Sequence, residues 1–436
     1  MALQGIWWKG IKKRIKMSEL NMEMDSAYQL YKDIIGVQPP WMISSVIKDE
    51  GDRKITIKIE HKPELLIPCP ICGELSKRHD HRVRLLRYLD TCQYETFLEV
   101  HVPRVKCTED GIQQISIPYA EKHSRFAGRF EKAVIIWLQD GSISAVAKNF
   151  NLSWDEVDGI MQRAVKRGLS LRKRDAVLNM GIDETSYQKR HEYVTVILDK
   201  DRDCVIDVLN GHKAETVEIW LKTQKISDLS GLISISMDMW DPYIKAVKGA
   251  IPEAEQKIAF DRFHVSKHFN EGLDKVRRRE HNSFLKQAGE SPLSKSRFQW
   301  LINSNRTDNR SSRRKAFLNL SRLNLTTARA WRIKETANSL WNYVYMNVAA
   351  EAWNKLLWWI SHCRIPEMIK VGLTIRKYLW GILNAIRLKA TNGMLEAKNN
   401  GIQRIKRMAC GFRNRDRFRT AILFRLRKLD LFPSTI

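Results

Sequence analysis

Residues 177–209 read VLNMGIDETSYQKRHEYVTVILDKDRDCVIDVL, and this stretch decides the fold class of the chain. Val177 to Asp183 is a short apolar run, and Glu192 to Leu198 alternates between apolar and polar residues. A turn at Asp199 to Arg202 precedes another apolar run, Val205 to Leu209. Short runs of this kind, joined by tight connections, predict three antiparallel strands.

Helices and strands alternate after these three strands. The pattern predicts a fourth strand from Leu232 to Met237 and a fifth from Lys257 to Phe260. Helices are predicted from about His212 to Thr223, from about Pro242, and from Phe263 to Arg279. Three antiparallel strands followed by alternating helix and strand is the order of a ribonuclease-H-like α/β core.

The rest of the second half is predicted to be helical. Between Arg279 and Ala390 we find no convincing strand, and helix-forming stretches there contain many arginines. This region is therefore interpreted as a helical insertion in the core. The final segment, Asn392 to about Lys428, is again predicted to be helical and is rich in arginine.

A small β module is predicted ahead of the core, from about Trp41 to Tyr119. Lys54 to Glu60 alternates strictly between polar and apolar residues, and Thr96 to Val105 does so less strictly. The module contains Cys69-Pro-Ile-Cys72-Gly73, in which two thiolates two residues apart can grip one metal ion while the glycine permits a tight turn.

The cysteine pattern predicts a structural zinc site whose second cysteine knuckle is incomplete. Structural zinc has four ligands arranged in a tetrahedron, and Cys107 is the candidate third ligand after Cys69 and Cys72. The alternative is that the cysteines are reduced residues in a turn. The fourth ligand stays open among four residues: Asp110, Cys92, His79 and His81.

A helix-turn-helix is predicted between the β module and the core. Helical periodicity covers Arg129 to Leu138, Ile143 to Asn149, and Trp154 to Lys166. Ser153 and Glu156 have the spacing of a capping box at the start of the third helix. That helix could lie in a major groove, and the alternative is a three-helix unit that does not bind DNA. The candidate DNA contacts are Trp154, Gln162, Arg163 and Lys166.

The composition indicates a folded protein with a polyanionic partner. The formal net charge is +26, which favours nucleic acid over a membrane surface or the ribosome, because each phosphate contact releases condensed counterions. A hydrophobic content of 43% excludes a disordered basic tail.

Targeting signals are not evident. Met1 to Lys16 lacks the apolar core of a secretion signal, and Tyr343 to Ile360 contains Glu351 and Lys355, so it falls short of a membrane span. Seven unevenly spaced cysteines fit a reducing compartment. We therefore expect a cytoplasmic, nucleoid-associated protein with no membrane partner.

Three carboxylates are placed where a phosphodiester-cleaving site would need them. Two-metal catalysis requires oxygen ligands from separate elements that converge on magnesium or manganese. Asp183 is predicted at the end of the first strand and Asp238 at the end of the fourth, and these strands would be neighbours. Glu396 is predicted on the late helix, on one face with Asn392 and Asn399.

Together the motifs resemble those of the bacterial insertion-sequence DDE transposases of the ISL3 family. The likeness spans roughly residues 40 to 430 and includes the zinc knuckle and the helix-turn-helix. The core motifs, in order, are Gly181-Ile182-Asp183-Glu184, Met237-Asp238-Met239-Trp240-Asp241-Pro242-Tyr243, Asp261-Arg262-Phe263-His264, Asn392-Gly393-Met394-Leu395-Glu396-Ala397-Lys398-Asn399 and Ile405-Lys406-Arg407-Met408-Ala409-Cys410-Gly411-Phe412.

The resemblance implies a metal-binding triad of Asp183, Asp238 and Glu396, and front modules that recognise terminal inverted repeats. Asp261 and His264 match a further motif, and they are interpreted as shaping the site from behind the ligands. This chain departs from the family at the second knuckle, where Asp110 stands in a place that often holds a cysteine or histidine.

The resulting fold class is multidomain α+β, with a zinc-ribbon-like β module, a helix-turn-helix, and a ribonuclease-H-like α/β catalytic core interrupted by an all-helical insertion. The predicted domains are an N-terminal extension (1–40), the zinc-ribbon-like module (41–120), the helix-turn-helix DNA-binding domain (125–170), the first part of the core (176–280), the insertion (281–390) and the last helices of the core (391–430).

The predicted function is DNA cleavage and strand transfer by a transposase acting on double-stranded DNA as a homodimer or larger synaptic complex. Phosphate contacts are predicted around the late helix, at Arg404, Lys406, Arg407 and Arg413. Three alternatives remain: an inactive DNA-binding regulator, a structure-selective nuclease, and a basic RNA-binding protein. The three placed acids speak against the regulator and the RNA-binding protein, and the helix-turn-helix speaks against the nuclease.

Overall fold

The computed structural model describes residues 28–172, 176–188, 192–211, 213–224, 229, 231–301, 312–323, 325–390 and 393–435. The chain divides into two compact units, one formed by Met1–Leu171 with Asp430–Ile436 and the other by Arg172–Leu429. The predicted extension at 1–40 lies largely outside the described residues.

The β module of the first unit is a sheet with strand order β1-β2-β6-β5, and β7 pairs with β6. Strict alternation in β2 places Ile55, Ile57 and Ile59 in the core, as the sequence predicts. A separate two-stranded hairpin, β3 with β4, encloses the cysteine knuckle. The strands are β1 (Trp41–Asp49), β2 (Lys54–His61), β3 (Ile67–Pro68), β4 (Leu75–Ser76), β5 (Arg78–Thr91), β6 (Tyr94–Cys107) and β7 (Gly111–Gln114).

Three helices follow: α1 (Gly128–Asp140), α2 (Ile143–Phe150) and α3 (Trp154–Leu171). The predicted capping box is confirmed, because the Ser153 backbone N–H donates to the Glu156 carboxylate and the Glu156 N–H donates to the Ser153 hydroxyl. The turn between α2 and α3 begins at Asn151, whose φ of 51° is left-handed.

Arg87 joins the β module to the helix-turn-helix, so the two predicted modules belong to one unit. Its guanidinium lies 5.3 Å from the ring centre of Phe97 in the sheet and 5.2 Å from that of Phe130 in α1. Its backbone also exchanges hydrogen bonds with the segment before α1, donating to Arg125 and accepting from Ala127.

A buried carboxylate fastens α1 to α3. Glu131 is only 1% exposed, and it accepts hydrogen bonds from Arg163 at 2.6 Å, Arg167 at 3.3 Å and the Ser124 hydroxyl at 2.8 Å. Glu121 also accepts from Arg167. The predicted DNA contact Arg163 is thus engaged in the packing of its own unit.

The last described residues pack in the first unit. Leu431 is buried and its carbonyl accepts a hydrogen bond from Arg167. The Lys132 ammonium lies 5.4 Å from the ring centre of Phe432. Gly128 faces Thr435 so closely that a Cβ would collide with it.

The second unit contains a five-stranded sheet with order β10-β9-β8-β11-β12. The first three strands pair antiparallel, and β8-β11 and β11-β12 pair parallel. The predicted ribonuclease-H-like order is confirmed. The strands are β8 (Asn179–Gln188), β9 (Glu192–Asp199), β10 (Cys204–Asn210), β11 (Ser234–Met237) and β12 (Ile258–Phe260).

Helices account for the other elements of this unit. Within the described residues no strand occurs between β12 and the chain end, so the insertion is helical as predicted. The helices are α4 (Ala214–Thr223), α5 (Asp241–Ala250), α6 (Ala254–Lys257), α7 (Arg262–Ala288), α8 (Arg297–Leu301), α9 (Ser312–Arg322), α10 (Thr326–Ser339), α11 (Met346–His362), α12 (Pro366–Lys377), α13 (Leu379–Arg387), α14 (Gly393–Met408) and α15 (Arg415–Leu426).

Three expectations about element ends were wrong, and one is the end of α3, which continues to Leu171 and not only to Lys166. The first core strand continues to Gln188, so Asp183 lies within the strand and not at its end, because β9 pairs along its whole length. The helix expected to end at Arg279 continues to Ala288, where Gly289 terminates it in a left-handed conformation. Among the described helices, none has the length and apolarity that a membrane span requires.

Replacing Glu131 with alanine should destabilise the first unit by about 3 kcal/mol, because it leaves two arginines without their buried counter-charge. Native-state hydrogen exchange of α1 and α3 measures the effect. Asp140→Asn, at the exposed end of α1, is the matched control and should leave exchange unchanged. Equal protection in the Glu131→Ala and control proteins would contradict this account.

Candidate active site and metal-binding clusters

Parallel pairing of β8 with β11 brings Asp183 and Asp238 together. The register aligns Ser236 with Gly181, and the two aspartates are each two residues further along their strand direction. Residues two apart on a strand share a face, so both carboxylates project to the same side of the sheet. Oxygen atoms of both, together with a ring nitrogen of His264, lie within 4.8 Å of one another.

His264 reaches this pair from the first turn of α7. Asp261 caps that helix by accepting from the Phe263 N–H at 2.7 Å, which orients the first turn towards the end of β11. The Nε2 atom of His264 is 2.8 Å from Oδ1 of Asp238 and 3.9 Å from Oδ2 of Asp261. His264 therefore contacts a predicted metal ligand directly.

Helix α14 packs along β8 on the same face as the acids. A Cβ on Gly181 would lie 3.0 Å from the Leu395 side chain, so the absence of a side chain on Gly181 allows this close approach. Asn399 donates to Asp183, and Gln403 donates to the Thr185 hydroxyl at 3.1 Å.

The same face continues with Lys406, which donates to the Ser186 carbonyl at 2.9 Å. Helix positions three or four apart thus contact strand residues one or two apart. Glu396 lies one turn before Asn399 in α14, but its side chain, like the whole of Asn392, lies outside the described residues.

The two aspartates oppose each other electrostatically. Burial and the nearby Asp238 carboxylate raise the pKa of Asp183 to about 6, against the opposing effect of the Asn399 hydrogen bond. Burial lowers the pKa of His264, but its hydrogen bond to Asp238 and the surrounding negative charge outweigh this, and the net shift is upward. The cluster has the electrostatic character of a cation site.

A buried lysine contacts β11, the strand that leads to Asp238, and it was not among the predicted site residues. Lys200 is 8% exposed and its ammonium donates to the Ser236 hydroxyl at 2.8 Å. Burial lowers its pKa, while the charge of Asp261 acts in the opposite direction. Nothing in the local sequence distinguishes Lys200 from a surface lysine in a turn.

A cleft opens beside Asp183 and Asp238. Its walls combine polar and aromatic side chains, and the Trp240 and Tyr243 rings meet edge to face at 4.5 Å. The other lining residues are Ile182, Glu184, Met239 and His268.

A second cluster lies in the first unit. The structure brings Cys69, Cys72, Cys107 and Asp110 within 4.8 Å of one another. The Sγ atoms of Cys72 and Cys107 are 3.4 Å apart, and Asp110 Oδ2 is 3.3 Å from Cys69 Sγ and 3.6 Å from Cys107 Sγ. Ligands of a tetrahedral zinc are about 3.5–3.8 Å apart, so these separations fit one ion.

The thiols and the carboxylate of this cluster shift one another's pKa values. A backbone hydrogen bond at Glu74 lowers the pKa of Cys72, but hydrogen bonds with Asp110 and Cys107 raise it to about 12. Hydrogen bonds from the thiols lower the pKa of Asp110, and the bond from Cys72 has the largest effect. The other candidates for fourth ligand, Cys92, His79 and His81, are not part of this cluster.

The predicted DNA contacts differ in exposure. Trp154, Gln162 and Lys166 lie on the exposed side of α3, and Gln162 also donates to Asp158 at 2.7 Å. In the second unit three of the predicted DNA contacts are exposed, and the fourth, Lys406, is half-buried against β8. The three exposed residues are Arg404, Arg407 and Arg413.

Comparison with known proteins gives family matches in the same order as these modules. A model described as a zinc finger of the IS204/IS1001/IS1096/IS1165 transposases matches residues 66–110. The helix-turn-helix domain of transposase family ISL3 matches residues 115–165, and the ISL3 transposase model matches residues 180–422.

Curated relatives agree with the family models. The transposase for insertion sequence element IS1557 of Mycobacterium tuberculosis is 25% identical, with 88% of this chain and 92% of the relative covered. The transposase for IS1001 of Bordetella parapertussis is 25% identical, with 85% of this chain and 91% of the relative covered. Since the transposase model alone covers more than half of the sequence, the chain belongs to the ISL3 family of insertion-sequence transposases.

Proposed function

We propose that this transposase cleaves DNA at the ends of its insertion sequence and joins the freed 3′ ends to target DNA, with Asp183, Asp238 and Glu396 as metal ligands. The observation that supports this most is the meeting of Asp183 and Asp238 on adjacent parallel strands, where each has carboxylate oxygen atoms facing the other.

The residues present fit a divalent cation. Carboxylate oxygens are the preferred ligands of Mg²⁺ and Mn²⁺. Burial, together with the negative charge of Asp238, raises the pKa of Asp183, and a cation would neutralise that charge. When bound, the metal ions activate the attacking oxygen and stabilise the leaving oxygen of an in-line displacement.

The chain's own side chains hold the acids in place. Asn399 orients the Asp183 carboxylate, and Gln403 and Lys406 fix α14 along β8. Position 396 lies one helical turn before Asn399, the residue that contacts Asp183. The basic residues of α14 and the following segment hold DNA phosphates, and α3 reads base edges at the terminal repeats.

We further propose that the active form is a dimer or larger complex acting at the nucleoid, because transposition must bring two element ends together. Each end would then be bound by the helix-turn-helix of one chain.

Alanine substitutions of Asp183, Asp238 and Glu396 should each abolish metal-dependent nicking at the element ends and leave end binding intact. The expected loss of nicking activity is at least about 10³-fold, because a site that lacks one carboxylate ligand cannot hold the metal ion at the scissile phosphate. The measurement uses a labelled duplex with the element's own ends, Mg²⁺ or Mn²⁺, and a parallel mobility-shift assay.

Glu255→Ala is the matched control, because it removes an exposed carboxylate of the same unit and should cut normally. A wild type that binds paired ends with either metal but never cuts them would replace this proposal with the DNA-binding regulator.

We also propose that Cys69, Cys72, Cys107 and Asp110 together bind one structural zinc ion. Cys107→Ser and Asp110→Ala should each lower zinc affinity, measured by elemental analysis and by competition with a chromophoric chelator. Asp110→Cys should retain the metal, because a thiolate can take the fourth position.

Cys92→Ser provides the matched control, since Cys92 is an exposed cysteine outside the cluster, and it should keep one zinc per chain. Full zinc retention by Asp110→Ala would exclude Asp110 as a ligand.

A further inference from the structure

The His264 ring lies among the possible metal-ligand atoms and not behind them. Its Nε2 atom is 2.8 Å from Asp238 Oδ1, and it belongs with Asp183 and Asp238 to the group whose ligand atoms all lie within 4.8 Å. Neighbouring ligand atoms around an octahedral ion with bonds of 2.0–2.1 Å are about 2.9 Å apart. Nε2 and Oδ1 are therefore spaced like two ligands of one ion.

From this spacing we infer that His264 is itself a ligand of the metal held by Asp183 and Asp238, which makes one of the two metal positions a mixed nitrogen and oxygen site. The inference deepens the proposed function, on which it rests, by assigning a third protein ligand that comes from α7 and not from the carboxylate triad.

The local structure holds His264 in this position. Asp261 directly follows β12, its backbone N–H donates to the Met237 carbonyl at 3.2 Å, and its carboxylate caps α7. The first turn of α7 is thus tied to the end of β11, immediately before Asp238. The His264 side chain is 23% exposed, so packing restrains it while part of the ring remains accessible to solvent.

His268 is a second histidine on α7, and it does not reach the ligand group, so the position of His264 and not its residue type marks it as a candidate ligand. It lies one turn later in the same helix and lines the cleft beside Asp183 and Asp238, but it is outside the group of converging ligand atoms. It therefore offers a matched control for any measurement of nitrogen coordination.

An imidazole ligand changes which metal the site prefers. All-oxygen sites suit Mg²⁺, whereas imidazole suits later divalent metals, and affinities rise from Mn²⁺ along the first transition row. His264→Asp should therefore lower the Co²⁺ to Mg²⁺ affinity ratio relative to the wild type.

The test is Mn²⁺ binding to the full-length, zinc-loaded protein without DNA, followed by electron paramagnetic resonance with pulsed detection of nitrogen coupling. A site with three protein ligands should bind Mn²⁺ in the absence of DNA. The wild type should show coupling to a directly bound imidazole nitrogen. His264→Gln should lose that coupling and about tenfold or more in affinity, and His268→Gln should retain both.

A positioning role would give a different result. If His264 only hydrogen-bonds Asp238, His264→Gln weakens binding but the wild type shows no nitrogen coupling. That result, coupling that persists in His264→Gln, or a wild type that binds no Mn²⁺ without DNA would each overturn the assignment.

Asp238→Ala separates this inference from the proposed function. Loss of Mn²⁺ binding in Asp238→Ala, with no nitrogen coupling in the wild type, retains the aspartate site and rejects His264 as a ligand. Unchanged Mn²⁺ binding and coupling in Asp238→Ala would place the metal elsewhere and reject both.

Discussion

The parallel pairing of β8 with β11 is the constraint on which the acidic site depends. It aligns Gly181 with Ser236 and thereby places Asp183 and Asp238 side by side on one face. Side-chain direction alternates along a strand, so a slip of one residue would move one carboxylate to the opposite face of the sheet. The long antiparallel pairing of β8 with β9 opposes such a slip, because eight aligned residue pairs would have to shift with it.

Both candidate metal-binding clusters bring acidic side chains close together. At the first, Asn399 and His264 hydrogen-bond the two aspartates, yet the pKa of Asp183 stays above its usual range. At the second, the raised pKa of Cys72 reflects the crowding of three thiols and a carboxylate. In both clusters the side chains are already arranged so that a bound cation would be stabilised. In the first unit the ion would stabilise a fold, and in the second it would perform chemistry.

Local patterns in the sequence were sufficient for the elements and their order. Alternation predicted β2 and β9, and the Ser153 capping box predicted the start of α3, because these signals act over a few residues. Tertiary contacts decided the rest. Asp183 lies within its strand because β9 continues to pair beside it. The pairing of β7 with β6 brings Asp110 to the cysteine cluster, which the other candidates for fourth ligand do not join.

The same limit applies to the charged residues. Lys200 sits in a turn and has no sequence signal, since its burial comes from the sheet below it. Arg163 was predicted to contact DNA, and its ion pair with the buried Glu131 had no local signal because the two residues are 32 positions apart. The side chain of Glu396 and the DNA contacts remain predictions that the described residues do not test.

The packing of residues 430–435 with α1 and α3 has a consequence for the order of synthesis. A ribosome releases the helix-turn-helix long before Leu431 and Phe432, which complete the surroundings of Arg167 and Lys132. The first unit therefore cannot acquire its full set of contacts until the whole second unit has been translated. Maturation of the unit that contains the helix-turn-helix is in this way tied to synthesis of the complete second unit on the same polypeptide.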